Sequence, residues 1–204
     1  MRTVTVNGAA ATPSKIVCVG RNYAAHIREL GNDIPDDMVV FNKPNSAISD
    51  VLRSRVDGEA LHYEGEIVFL CSGGAFTAVG FGLDLTRREL QSLLKKKGLP
   101  WERAKAFDGA ALFSEFVPLP AAIDTLELQL DVDGLRRQEG GVELMIYRPA
   151  TILEELRKFT TLEDGDLIMT GTPEGVGAIN PGERFEGRIL AAGSTLVSAS
   201  WVAQ

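Results

Sequence analysis

Apolar positions in this chain fall in short runs and alternating stretches, and helical periodicity is confined to a few segments. Thr3-Val4-Thr5-Val6 alternates and meets Asn7-Gly8, a short strand running into a turn. After the Pro13-Ser14 break, Lys15-Ile16-Val17-Cys18-Val19 reads as a buried strand ending at Gly20. Gly20 to Gly31 then reads as a strand-to-helix turn and a short helix closed by Gly31. Asn32 to Pro35 is a turn-rich loop, Val39-Val40-Phe41 leads into the polar segment Asn42 to Ser46, and residues 51–60 read as irregular. Ala78 to Thr86 is a glycine-loosened strand, and Arg87 to Lys97 a helix whose Leu90, Leu93 and Leu94 are spaced as core contacts. Leu126 to Val132 alternates and turns at Asp133-Gly134, a hairpin signal. Ala150 to Phe159 is an amphipathic helix, and Asp166 to Thr170 and Ser194 to Ala199 are strands. Strands outnumber helices, so the expected class is mostly β or α+β. With no repeat, low-complexity tract or linker, residues 1–204 are expected to form a single domain.

The stretch Leu61-His62-Tyr63-Glu64-Gly65-Glu66-Ile67-Val68-Phe69-Leu70 joins an acidic half to an apolar half. The β-branched and aromatic run from Ile67 to Leu70 predicts a buried strand, and strand geometry extended backwards puts His62, Glu64 and Glu66 on one face. Two carboxylates beside a buried strand conflict unless water or a cation resolves the charge. Two readings stay open: a wet edge strand, or a strand that carries an ion.

Further chemistry lies elsewhere. Asp84, at the end of its strand, can cap the following helix, but it also completes a set of three acids on two adjacent apolar strands. Three carboxylates without a histidine or cysteine ligand are hard oxygen donors that suit Mg²⁺ or Mn²⁺ rather than zinc or iron. His26 and Glu29, three apart on a helix, share a face. They are either an ordinary surface pair or an imidazole oriented by a carboxylate, the construction of a general base. Lys105 stands among small and aromatic residues, where a solvated ammonium with its stem on Trp101 or Phe107 is the plain alternative. The loop Gly171-Thr172-Pro173-Glu174-Gly175-Val176-Gly177 exposes amides and a hydroxyl that can cradle a carboxylate.

Composition narrows the partners. A net charge of −7 over 204 residues argues against nucleic acid or an anionic membrane surface, leaving small anionic ligands where basic side chains converge locally. No apolar stretch is long enough to span a bilayer, and Met1 to Gly8 lacks the apolar core of a signal peptide, so a cytoplasmic protein is expected. Cys18 and Cys71, each inside an apolar run, are expected to be buried, reduced thiols.

Taken together, Gly20-Arg21-Asn22-Tyr23 with His26 and Glu29, His62-Tyr63-Glu64-Gly65-Glu66, Leu83-Asp84-Leu85-Thr86 with Arg88, Lys105, and Thr170 to Gly177 resemble the fumarylacetoacetate hydrolase family over residues 15–190. The resemblance is closest to its short branch of acylpyruvases and oxaloacetate-acting enzymes. It implies a mixed β-sandwich roll with short peripheral helices, a homodimer, and Mg²⁺ or Mn²⁺ on Glu64, Glu66 and Asp84, with His62 beside the ion rather than on it. It implies a lid carrying His26 and Glu29 as a water-activating pair, and a substrate surface of Lys105, Gln91, Arg21, Lys43 and Thr172. Gly140 to Met145 lacks the small polar residues common before the family's methionine, and Asp108 to Phe113 lacks a frequent proline. Both border the substrate region, so the resemblance speaks for the metal site more than for the substrate.

The expected reaction is hydrolysis of a C–C bond in an acylpyruvate or related β-diketo acid, with Lys105 adding positive charge where the enolate develops. The same enolate arises in tautomerisation or decarboxylation of oxaloacetate and in hydroxymuconate-type isomerisation and decarboxylation, which are the alternatives. A non-catalytic metal-binding domain is a further one.

Overall fold

The computed structural model describes residues 1–31 and 35–204, so the expected loop at Asn32 to Pro35 lies, but for Pro35, outside the described residues. Strands β1 (Val4–Val6) and β2 (Ala9–Ala11) form a hairpin across Asn7-Gly8. β3 (Lys15–Gly20) feeds α1 (Ala24–Glu29), and β4 (Val39–Pro44) pairs antiparallel with β3. β5 (Arg55–Val56) and β6 (Glu59–Tyr63) make a small hairpin, β7 (Gly65–Ser72) and β8 (Ala75–Asp84) a long one. β9 (Thr86–Arg87) precedes α2 (Arg88–Lys96) and α3 (Glu102–Lys105), and β10 (Ala111–Phe113) and β11 (Val117–Pro118) return to β8. The rest is the hairpin β12 (Leu126–Val132) and β13 (Leu135–Gly141), α4 (Pro149–Arg157), β14 (Leu167–Met169), β15 (Gly177–Ala178), β16 (Arg184–Ala191) and β17 (Ser194–Val202).

A seven-stranded mixed sheet runs β10-β8-β7-β14-β3-β4, with β11 also on β8; β14 is antiparallel to β7 and parallel to β3. A four-stranded antiparallel sheet, β13-β12-β16-β17, packs over one face of it, and β15, β6, β5 and β9 form a small third sheet. The main core lies between the two large sheets, where Ile67, Phe69, Phe81 and Leu83 meet Leu128, Leu130, Phe185 and Ile189. The sheets approach so closely that a Cβ on Gly187 would lie 2.2 Å from the Phe81 ring. On the other face, Ile16, Cys18, Leu167 and Met169 form a second cluster, while Val17, Val19 and Ile168 pack on Ile152 and Leu156 of α4. With both faces of β3 and β14 covered, their sequences are continuous apolar runs instead of alternating ones. The architecture is the mostly-β sandwich roll with short helices. No helix among the described residues is long and apolar enough to cross a membrane.

Three expectations need correction. Residues 51–60 are not irregular throughout: Asp57-Gly58, both at positive φ, close the β5–β6 hairpin. Leu93 is 47% exposed, and Leu94 is the buried leucine of α2, because the helix lies on the rim of the sheet and covers it with a narrow stripe. The acidic and apolar halves of Leu61–Leu70 are not one strand. The chain changes sheets at Glu64, whose carbonyl still accepts the amide of Asp84 at 2.8 Å. Cys18 and Cys71 are buried and free.

Candidate active site

The register of the β7–β8 hairpin builds the acidic centre. Glu66 sits opposite Gly82 and Gly65 opposite Leu83, so Glu64 just before β7 and Asp84 at the end of β8 fall side by side. One oxygen from each of Glu64, Glu66 and Asp84 lies within 4.8 Å of the other two, and all three residues are buried. The three acids lie buried at one point instead of along an exposed strand face, which removes the wet-edge reading.

Cations arrive from three elements. Lys105, at the end of α3, places Nζ 2.7 Å from Glu64 Oε2, 2.7 Å from Asp84 Oδ2 and 2.6 Å from Thr86 Oγ1. It is buried, so the solvated alternative fails. Arg88, the first residue of α2, donates to Glu64 Oε1 and, at 2.8 Å, to Gln91 Oε1. Lys43 Nζ stands 2.7 Å from Asp84 Oδ1 and donates to the carbonyl oxygens of Lys105 and Leu85. Lys43, expected to line the substrate, is fully buried behind Asp84 and is not among the residues that line the cavity, because the pleat of β4 turns it inward.

The three carboxylates differ in charge environment. Burial alone would raise Glu64, but Lys105 and Arg88 outweigh it and hold this carboxyl well below the usual range. Burial also acts against the Lys105 ammonium, yet Asp84 and Glu64 raise it above an ordinary lysine. Glu66 has no ion-pair partner among the described residues. Burial and then the charges of Asp84 and Glu64 push it well above the usual carboxylate range, offset in part by the Gly171 amide, which donates to Oε2 at 2.7 Å.

The donor set fits a hard divalent cation. It is all oxygen and buried, and one of its members is held at unfavourable charge by its neighbours, a conflict that an ion removes. Formally, Lys43, Arg88 and Lys105 already balance the three acids, so a bound divalent ion leaves the site positive and ready for an anion.

Above this centre lies a cavity of about 450 Å³, its open mouth included. Arg21, His26, Gln91, Lys105 and Thr172 line it together with the three acids, so the structure brings these expected residues into one place. The turn after β3 presents two of them. Arg21 adopts a left-handed φ of 57°, and the buried Asn22 pins the turn by donating to the carbonyls of Tyr147 (3.0 Å) and Thr170 (2.8 Å). His26 Nδ1 lies 3.1 Å from Glu29 Oε2, and the Gly175 amide donates to Glu29 Oε1 at 3.0 Å. Glu29 thus stands behind the imidazole, not in the cavity. Gly175 has a φ of 96° and lies so close to the Arg137 carbonyl that a Cβ would come within 1.9 Å, so the clasp requires glycine there. The amides of Gly171 and Gly175, expected to cradle a ligand, are taken by the protein's own carboxylates.

Sequence reasoning missed Gln138. From β13 it reaches across the sandwich, accepting the Gly65 amide at 2.8 Å and donating to Thr172 Oγ1 (2.8 Å) and the Pro173 carbonyl (2.9 Å). Thr172 Oγ1 in turn donates to the Gly65 carbonyl at 2.9 Å. The backbone between Glu64 and Glu66 is thereby tied to the cavity loop. Lys95 and Trp101 also line the cavity unforeseen; for Lys95 the signal was the α2 face it shares with Arg88 and Gln91. His62 is half-buried near Arg88 and Glu64; burial and then Arg88 lower its pKa.

Residues 15–200 match the family description "Fumarylacetoacetate (FAA) hydrolase C-terminal". This chain belongs to the fumarylacetoacetate hydrolase family. It is 37% identical over 198 residues to oxaloacetate tautomerase YcgM of Escherichia coli (strain K12), covering 87% of this chain and 90% of that one. It is 39% identical over 201 residues to the mitochondrial oxaloacetate tautomerase FAHD2 of Oryza sativa subsp. japonica, covering 88% of each. The solved structure of fumarylpyruvate hydrolase from Pseudomonas aeruginosa in complex with Mn²⁺ and pyruvate shares the fold with a TM-score of 0.86 at 34% identity, covering 100% of this chain and 96% of that chain.

Proposed function

We propose that this chain is a divalent-metal-dependent enzyme that interconverts the keto and enol forms of oxaloacetate. The acylpyruvate hydrolysis expected first gives way to its alternative because the related proteins from E. coli and rice are oxaloacetate tautomerases. The observation that carries the reading is the union, in one cavity, of a carboxylate-oriented imidazole with an ammonium held on the acidic centre.

Glu64, Glu66 and Asp84 would hold a Mg²⁺ or Mn²⁺ ion, which would supply Lewis-acid polarisation of the keto acid. Glu29 accepts the Nδ1 proton of His26, which leaves Nε2 as the basic nitrogen. Nε2 takes a proton from the carbon next to the carbonyl and returns it to the oxygen, so tautomerisation is proton transfer with no water consumed. Lys105 donates toward the oxygen on which negative charge develops. Arg21, Gln91 and Thr172 orient the substrate. Gly175 keeps Glu29, and through it His26, in place.

Hydrolysis of an acylpyruvate is the second reading, favoured by the likeness to the Pseudomonas fumarylpyruvate hydrolase. It uses the same base on a water molecule. A substrate panel with Mn²⁺ or Mg²⁺ separates the two: fast equilibration of enol-oxaloacetate, with slow cleavage of acetylpyruvate and fumarylpyruvate, is expected. Cleavage outpacing tautomerisation rejects the first reading in favour of the second. Replacing His26 by alanine is expected to slow turnover about 10²- to 10⁴-fold. The proposal takes the chain as one catalytic domain acting as a homodimer, which sedimentation tests; an active monomer rejects that part.

A further inference from the structure

Lys95 is a buried-stemmed cation that the acidic centre does not use. It lies on α2 four residues beyond Gln91 and seven beyond Arg88, so the three share one helix face, and all three line the cavity. Its Nζ sits 4.7 Å above the centre of the Trp101 ring. Arg88 and Lys105 both contact Glu64, whereas Lys95 has no ion-pair partner among the described residues. The charges around it are mostly like its own: burial and then Arg21 and Arg88 lower its pKa to about 8, with Glu64 only partly opposing. A second groove, lined by Leu30, Arg88, Gln91, Ser92 and Lys95, adjoins the main cavity at this point. A half-buried cation among cations, fixed over an aromatic face at the mouth of a site for anions, is placed to be neutralised by a ligand.

Resting on the reading of the site as one for α-keto acids, we propose that Lys95 receives the second carboxylate of a keto diacid whose reacting end lies at the acidic centre. Lys95 thereby selects diacids over monoacids. Gln91, between Arg88 and Lys95 on the same face, lines the path joining the two ends.

Calorimetric titration of the Mn²⁺-loaded protein with L-malate and L-lactate tests this, since the two unreactive ligands differ by the distal carboxylate. The parent chain is expected to bind malate more tightly than lactate. Lys95→Gln should lower malate affinity about tenfold or more and leave lactate unchanged, with Lys95→Arg restoring most of the preference. Equal binding of the pair by the parent chain, none included, overturns the proposal. So does a preference that survives in Lys95→Gln, or an equal loss for both ligands. Because binding is read without turnover, failure of oxaloacetate tautomerisation in the separate assay rejects the proposed reaction and leaves this result standing.

Discussion

Lys105 would compete with a bound ion for the same oxygens. Its ammonium lies on Glu64 Oε2 and Asp84 Oδ2, two members of the acidic centre. Lys105→Met is therefore expected to abolish most turnover, about 10²-fold or more, while leaving Mn²⁺ affinity equal or higher. Paired Mn²⁺ titrations and tautomerisation assays check this; weaker Mn²⁺ binding would show that Lys105 supports the ion. Glu66 leads to a second expectation. Burial and the neighbouring Asp84 and Glu64 raise its carboxyl, which favours a proton there that a divalent cation would displace. Adding Mn²⁺ to the protein in weak buffer should release acid, and affinity should tighten as pH rises; Glu66→Gln should remove the proton release. At this scale the acids were legible, because a Glu-x-Glu before an apolar run and an aspartate at a strand end are local patterns. Lys43 was not. A lysine after a strand gives no sign of which face it takes, and here it lies behind Asp84.

Elements carry the site through their connections. Gln138 links β13 to the start of β7 and to the loop after β14 with three hydrogen bonds. Gln138→Leu leaves the buried Gly65 amide without a partner, which costs about 1–3 kcal/mol. A lowered melting temperature together with weaker Mn²⁺ binding is expected, since the freed backbone lies between Glu64 and Glu66. Unchanged Mn²⁺ affinity in a destabilised variant would confine Gln138 to a structural role. Nothing local to Arg136-Arg137-Gln138-Glu139 marks the glutamine as buried; its bonds to Thr172 and Pro173 place it under the loop after β14. Helix α2 shows the same limit: the spacing of Leu90, Leu93 and Leu94 located the helix, but how much of its surface is covered depends on what it lies against. The β12–β13 hairpin was fully legible, because Asp133-Gly134 at positive φ is what its turn requires.

For the whole molecule, the separation of the two large sheets is set at Gly187 opposite Phe81. Gly187→Ala would force the Phe81 ring to move in a filled core, a change expected to destabilise by about 1–3 kcal/mol in chemical unfolding. Phe81→Leu in the same chain should recover part of the loss. No local pattern announces such a contact, which joins residues far apart in the chain. The class of fold was legible from short strands and few helices, and its particular topology came only with the family resemblance. The reason shows in β14. Leu167–Met169 is three residues long, yet among the described residues it alone bridges β7 to β3 in the seven-stranded sheet. Until that segment leaves the ribosome, β3 and β7 each present an apolar edge with nothing to mate it. The sheet is therefore closed late, by a short segment that joins two hairpins encoded earlier in the chain.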